Sequence, residues 1–138
     1  MLPVEVGDYL AGQGLGLTVG TNLRYVPLTD ADPDPAVAIL ETPGSQSEGA
    51  FGPSLSAPAF EHPRFVVIVR GSRDGGLVAR TLAESIHKKL ERLGPVTRAG
   101  TVYFDVRAQQ PPFGPDYDAN ERVIYRAVYE ATKERSVA

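Results

Sequence analysis

Apolar positions along the chain fall into two periods. Residues 65–69, Phe-Val-Val-Ile-Val, form an unbroken run of aromatic and β-branched side chains between Arg64 and Arg70. A run this short and this composed predicts a central strand covered on both faces, and it is far too short to span a membrane. Gly71 and Gly75-Gly76 follow with turn chemistry. Beyond them Val78, Leu82, Ile86 and Leu90 recur every fourth residue and Leu93 continues the stripe, with Arg80, Glu84, Lys88 and Glu91 on the opposite side. This spacing predicts an amphipathic helix capped by Ser72 or Asp74, supported by a Glu84–Lys88 pair and stopped at Gly94-Pro95. Burying five such aliphatic side chains contributes roughly 1.5–3 kcal/mol each, enough to hold the helix on a sheet without any ligand.

The remaining segments read as partners of that strand and helix. Pro3–Leu10 predicts a short opening helix with Pro3 in its first turn and Val6, Tyr9 and Leu10 on its apolar face. Leu23–Leu28 predicts a strand, with Pro27 near its end or at a sheet edge. The acidic TDADPDP turn would join it in a hairpin to Ala36–Glu41. Thr101–Arg107 alternates as a strand. Arg122–Thr132 has period two and predicts another, although Val123, Ala127 and Ala131 also fit a helical spacing. The resulting order, α-β-β-β-α-β-β, predicts an α+β fold: a small mixed β-sheet of about five strands with two helices packed on one face.

Two stretches break the pattern. Thr42–His62 holds three Pro, three Gly and four Ser, yet it also carries Phe51, Leu55 and Phe60. Gln109–Asn120 is a second Pro/Gly-rich stretch, containing Phe113 and Tyr117. Both read as loops. A long loop inside a compact domain is usually functional or disordered, and these apolar side chains suggest segments that order against a partner.

Composition narrows the function classes. At 138 residues one domain is expected, and 42% hydrophobic content suits a globular core. With no cysteine there is neither a disulfide nor a thiolate metal site. The opening MLPVEVGDYL has no basic stretch and carries Glu5 and Asp8, so a signal peptide is not expected and cytoplasmic synthesis is the default. A net charge of −3 argues against binding nucleic acid through phosphate neutralisation.

Candidate chemistry is sparse. Asp30, Asp32, Asp34 and Glu41 are spaced like part of a calcium loop, but Pro35 stands where such a loop needs Gly, which favours an ordinary acidic turn. The Gly12–Gly16 run follows a helix and opens none, so it lacks the context of a phosphate-binding loop. His62 and His87 are the only histidines, and no spacing joins either to a nucleophile. Arg70, Arg73, Arg80, Lys88, Lys89 and Arg92 make the helix region basic, as a solvated face would be. No catalytic, cofactor-binding or metal-ligating residue is expected. A monomeric binding module whose long loop captures a ligand or peptide, and a small hydrolase built on one histidine, remain the rival classes.

In order, the chain presents LAGQGLGLTVGTNLRYVPL after its first helix, the strand AVAILETPG, the EHPRFVVIVRG entry to the central strand, the helix LVARTLAESIHKKL and the strand start GTVYF. In that order and over essentially its whole length it resembles a family of small tailed-bacteriophage proteins, the tail terminator and minor capsid (head–tail joining) proteins. The Arg24-Tyr25 pair departs from the more apolar strand expected there. The resemblance implies a structural, non-enzymatic virion protein of α+β fold without cofactor. It implies a homo-oligomer, typically a hexameric ring, on the head-proximal end of the tail. Such a ring stops tube polymerisation, contacts the tail tube protein and a head connector or stopper protein, and lets DNA pass through its lumen without specific binding. A neighbouring connector or completion protein is the alternative within that resemblance. Phe51, Leu55, Phe60, Phe113 and Tyr117 are the candidate residues for the subunit or tube interface.

Overall fold

A computed structural model describes residues 2–48, 60–91, 93–94, 96–98 and 101–134. Among these, two helices and six strands follow in the order α1 (Leu2–Ala11), β1 (Leu23–Arg24), β2 (Ala36–Glu48), β3 (Phe60–Arg70), α2 (Gly76–Leu90), β4 (Val96–Arg98), β5 (Thr101–Tyr117) and β6 (Val123–Glu134). The strands form one sheet in the spatial order β1-β2-β3-β6-β5-β4. The fold is α+β, and four long strands carry the sheet, with the two- and three-residue strands β1 and β4 at its edges.

The apolar run of β3 sits in the middle of this sheet. Register brings Val37, Val69 and Tyr125 into one cross-strand row and Ile39, Val67 and Ala127 into the next. Because cross-strand partners share a face, these residues, with Phe65 and Tyr129, form one apolar surface. Leu2, Val6 and Leu10 of α1 and Ala79, Ala83, Ile86 and Leu90 of α2 join the same core, so both helices lie on that face. Phe65 and Tyr129, directly paired, stack with centroids 5.4 Å apart. The opposite face carries half-buried Leu40, Val66, Ile68, Ile124 and Val128 and receives neither helix.

Several elements differ from their sequence-based expectations. β1 is two residues long and pairs parallel to β2, Leu23 opposite Val37, so there is no hairpin. After Arg24 the chain, with Pro27, leaves the sheet and returns through the acidic turn to start β2. Tyr25 packs instead on Gly7 of α1, where an added Cβ would stand 2.5 Å from the ring and closer still to the hydroxyl, and that hydroxyl donates to Val4 O. The polar Arg24-Tyr25 pair is therefore accommodated by an ion pair on one side and a helix glycine on the other. β2 runs on to Glu48 and β3 starts at Phe60. The ladder absorbs Pro43-Gly44 through register shifts between Thr42 and Ser45 and between Ser45 and Glu48.

Most of the second expected loop, up to Tyr117, is likewise strand. Pro111, Pro112 and Pro115 are tolerated because, among the described residues, β4 pairs only with Thr101–Tyr103 and no strand lies beside the outer edge of β5 at the prolines. Repeated register shifts against β6 accommodate them. β6 is wholly strand, as its period-two pattern predicts.

α2 is also phased differently. Its core side is Ala79, Ala83, Ile86 and Leu90, whereas Val78 is exposed and Leu82 half buried. Small residues occupy the upper contact because the backbone passes close by: a Cβ on Gly71 would lie 2.8 Å from that of Ala79. The helix has no side-chain N-cap, its surface ion pair is Arg80–Glu84 at 3.2 Å, and it ends at Leu90, before Gly94.

Candidate assembly surfaces at the two ends of the sheet

The acidic turn is an arginine-binding device. Arg70, last in β3, donates from Nε to Asp34 Oδ1 (2.7 Å), from Nη1 to Thr29 O (2.9 Å) and from Nη2 to Asp32 O (2.9 Å). Asp32 accepts from Arg24 Nε (2.9 Å) and from the Thr29 amide (2.8 Å). Asp30 pairs with Arg122, whose Nε also donates to Asp118 (2.7 Å). Each aspartate of the turn thus has its own arginine, drawn from β1, β3 or the turn before β6. The Thr29 amide, then the Arg24 guanidinium, holds the Asp32 carboxyl below its ordinary range despite burial. Three charge-neutralised aspartates tie the turn over the end of β3, which is the ordinary structural role expected of them. Among the described residues no group of His, Asp or Glu has metal-binding geometry.

Both histidines serve as fasteners. His87 Nδ1 lies 2.9 Å from the Tyr129 hydroxyl and its Nε2 3.6 Å from Glu91 Oε2. Burial, and secondarily the Glu91 charge, raise the phenol's pKa far above its ordinary value, so it stays protonated. Tyr129 and His87 Nδ1 share one hydrogen bond. This contact fixes α2 to β6. His62 lies 3.2 Å from Thr132 Oγ1 and 4.0 Å from Glu130, which pairs with Arg64 at 2.7 Å. The two rings sit on opposite faces of the sheet and share no nucleophile.

The described candidate interface residues fall at two ends. Phe51 and Leu55 lie outside the described residues. Phe60 opens β3, its backbone opposite Glu48 and Glu134. Phe113 and Tyr117, 39% and 64% exposed, project from the last stretch of β5. Asp116 and Tyr117 face Ile124 and Val123, and Ile124 faces Arg70. Tyr117 therefore marks the Arg70 end of the sheet and Phe60 the opposite one. Of the described candidates, Phe113 and Tyr117 lie toward the Arg70 end and the Phe60 backbone lies at the opposite one.

The Arg70 end carries a feature that the helical stripe concealed. Leu77 and Val78 are 78% and 56% exposed. With Thr81, Leu82 and Ser85 they form one wall of a groove of about 450 Å³, closed by Leu15 and Pro35. No lining residue is charged. The clue was the adjacent pair Leu77-Val78, which one helix face cannot bury together with Ala79 and Ala83. A second, more polar groove of about 390 Å³ lies between α2 and β5, with Arg80, Glu84 and His87 facing Pro111, Pro112 and Pro115.

No helix among the described residues is long and apolar enough to cross a membrane. No curated protein matches the chain. Among solved structures, a chain of the "Virion of native gene transfer agent (GTA) particle" matches with a TM-score of 0.71 at 15% identity, covering 97% of this chain and 95% of that one. That likeness shows a shared fold. Residues 9–135 match the family model described as "Bacteriophage tail terminator protein". The chain therefore belongs to the bacteriophage tail terminator family and is a structural protein of the phage tail.

Proposed function

We propose that the protein is a single-domain subunit that caps the head-proximal end of the tail tube as a homo-oligomeric ring, hexameric in form. The ring stops tube polymerisation and offers its outer surface to the head connector or stopper protein. The observation that carries this reading is the set of exposed apolar side chains, Leu77, Val78, Phe113 and Tyr117, toward the Arg70 end of the sheet, a patch that another surface would cover. Unlike surfaces on a single chain make heterologous, head-to-tail contacts, and these close into a ring when the rotation allows. Membership in the terminator family supports the tube as the partner. Phe113 and Tyr117, with Phe51, Leu55 and Phe60, are the contact residues of this reading. The net charge of −3 suits a lumen through which DNA passes without sticking.

The direct test is polymerisation. Tail tube protein elongating in vitro should stop when the chain is added at a small molar fraction, leaving short tubes of uniform length. Tubes that keep elongating with the chain present would refute the capping role.

A further inference from the structure

We propose that the groove formed by Leu77, Val78 and Leu82 of α2 with Leu15 and Pro35 is the docking site for the segment at residues 49–59 of a second copy of this chain. The proposal rests on the ring reading and names the contact that would build the ring.

Chain length and anchor points select the occupant. The segment leaves β2 at Glu48 and rejoins at Phe60, ten residues along β3 from Arg70. At the rise of a β-strand that places its anchors about 33 Å from the Arg70 end. The groove lies at the Arg70 end, since Pro35 precedes the first residue of β2 and Leu77 is the second residue of α2. The segment's midpoint, Ser54, is six residues from either anchor. Fully extended chain spans at most about 3.6 Å per residue, so Ser54 reaches about 21 Å from its anchors. It cannot fold back to the Pro35–Leu77 end of its own groove. A neighbouring copy's groove has no such restriction.

Chemistry agrees with reach. Residues 49–59, GAFGPSLSAPA, contain no charged side chain, and two large apolar ones, Phe51 and Leu55. The groove wall also has no charge, and it exposes Leu77 and Val78 far more than a helix residue serving the core. An uncharged, apolar segment entering an uncharged, apolar groove leaves no buried charge unpaired, whereas a charged partner would. Pro53 and Pro58 reduce the conformational freedom that docking must remove. The segment's anchors and the groove lie at opposite ends of the subunit, so the contact would propagate head to tail.

The chain has no cysteine, so engineered thiols report only this contact. Ser54→Cys and Leu77→Cys variants of the full chain are prepared separately, mixed under oxidising conditions and resolved by non-reducing electrophoresis. The mixture should give a disulfide-linked dimer that neither variant gives alone, and a chain carrying both should give a ladder of multimers. Independently, Val78→Asp should weaken self-association by about tenfold or more, as losing an interface anchor does. Leu55→Lys in the same chain should restore part of it. Oligomers that form and cap tubes without the cross-link overturn this contact and leave the capping role standing. A chain that neither associates nor caps overturns both. A cross-link confined to single chains of the double variant overturns the proposal as well.

Discussion

Arg70 donates through Nε to Asp34 Oδ1 at 2.7 Å, and its side chain is only 3% exposed. The pair joins the end of the central strand to the turn that leads into β2. The remaining guanidinium hydrogens fall on two main-chain carbonyls, Thr29 O and Asp32 O. One planar fork therefore holds the whole turn against the sheet, a geometry that a lysine cannot reproduce. Arg70→Ala would strand the carboxylate and both carbonyls. Removing one partner of a buried ion pair costs about 3–5 kcal/mol. Asp34 is partly accessible and can rehydrate, so the lower end of that range is expected in a urea melt. Arg70→Lys should recover less than half of the loss.

Helix α2 has an inner and an outer apolar face, and mutation should separate them. Ile86 is buried in the core and Val78 is not. Ile86→Ala should destabilise by about 2–5 kcal/mol, whereas Val78→Ala should stay within about 0.5 kcal/mol for the isolated subunit. Equal losses in denaturant melts would show that Val78 belongs to the core.

Gly114 stands where a side chain has no room. Its φ is +151°, and an added Cβ would lie 2.8 Å from Ile124 O and 2.9 Å from the Tyr125 ring. Gly114→Ala should destabilise by about 1–3 kcal/mol and loosen the β5–β6 pairing around Phe113. Gly94→Ala, which meets nothing within 4 Å, is the matched control. Amide hydrogen exchange of β6 reads the difference.

Acid should release the arginine-held turns. At Asp118 burial pushes the carboxyl upward, but hydrogen bonds from the Arg122 amide and side chain and the Asn120 amide win and hold it below its ordinary value. Asp32 is lowered by the Thr29 amide and Arg24. A carboxyl with a depressed folded-state pKa binds protons less readily than in the unfolded chain. Its stabilisation is complete above the unfolded value, about 3.9, and is lost as pH falls through the folded one. Stability from these two groups should be level from pH 7 to about 5 and decline below about pH 4. Asp32→Asn should flatten part of that decline, and urea melts from pH 3 to pH 7 measure it.

What the sequence revealed divides along physical lines. β3 was legible from its short β-branched apolar run between turn signals, and β6 from its period-two pattern, although part of β6 also fits a helical spacing. The phase of α2 was not. Val78/Leu82 and Ala79/Ala83 both lead into the shared Ile86 and Leu90, and the choice depends on how closely the backbone at Gly71 approaches, a tertiary fact. Proline and glycine misled at Pro43-Gly44 and Pro111–Pro115. Their turn chemistry is real, but bulges and a bare sheet edge absorb it within strands. The acidic turn is held by three arginines. Its arginine partners were not visible, since Arg24, Arg70 and Arg122 meet it only through folding. The candidate interface residues were chosen for apolarity within irregular stretches. Phe113 and Tyr117 are exposed, and so is Leu77, whose place in a helical run gave no sign of it.

The measurement closest to the central claim is electron microscopy of tail tubes mixed with the purified chain. The account predicts a ring-shaped density with sixfold symmetry at one end of each tube and none along the shaft. Bare ends on both sides, with the chain remaining monomeric in the same sample, would contradict it.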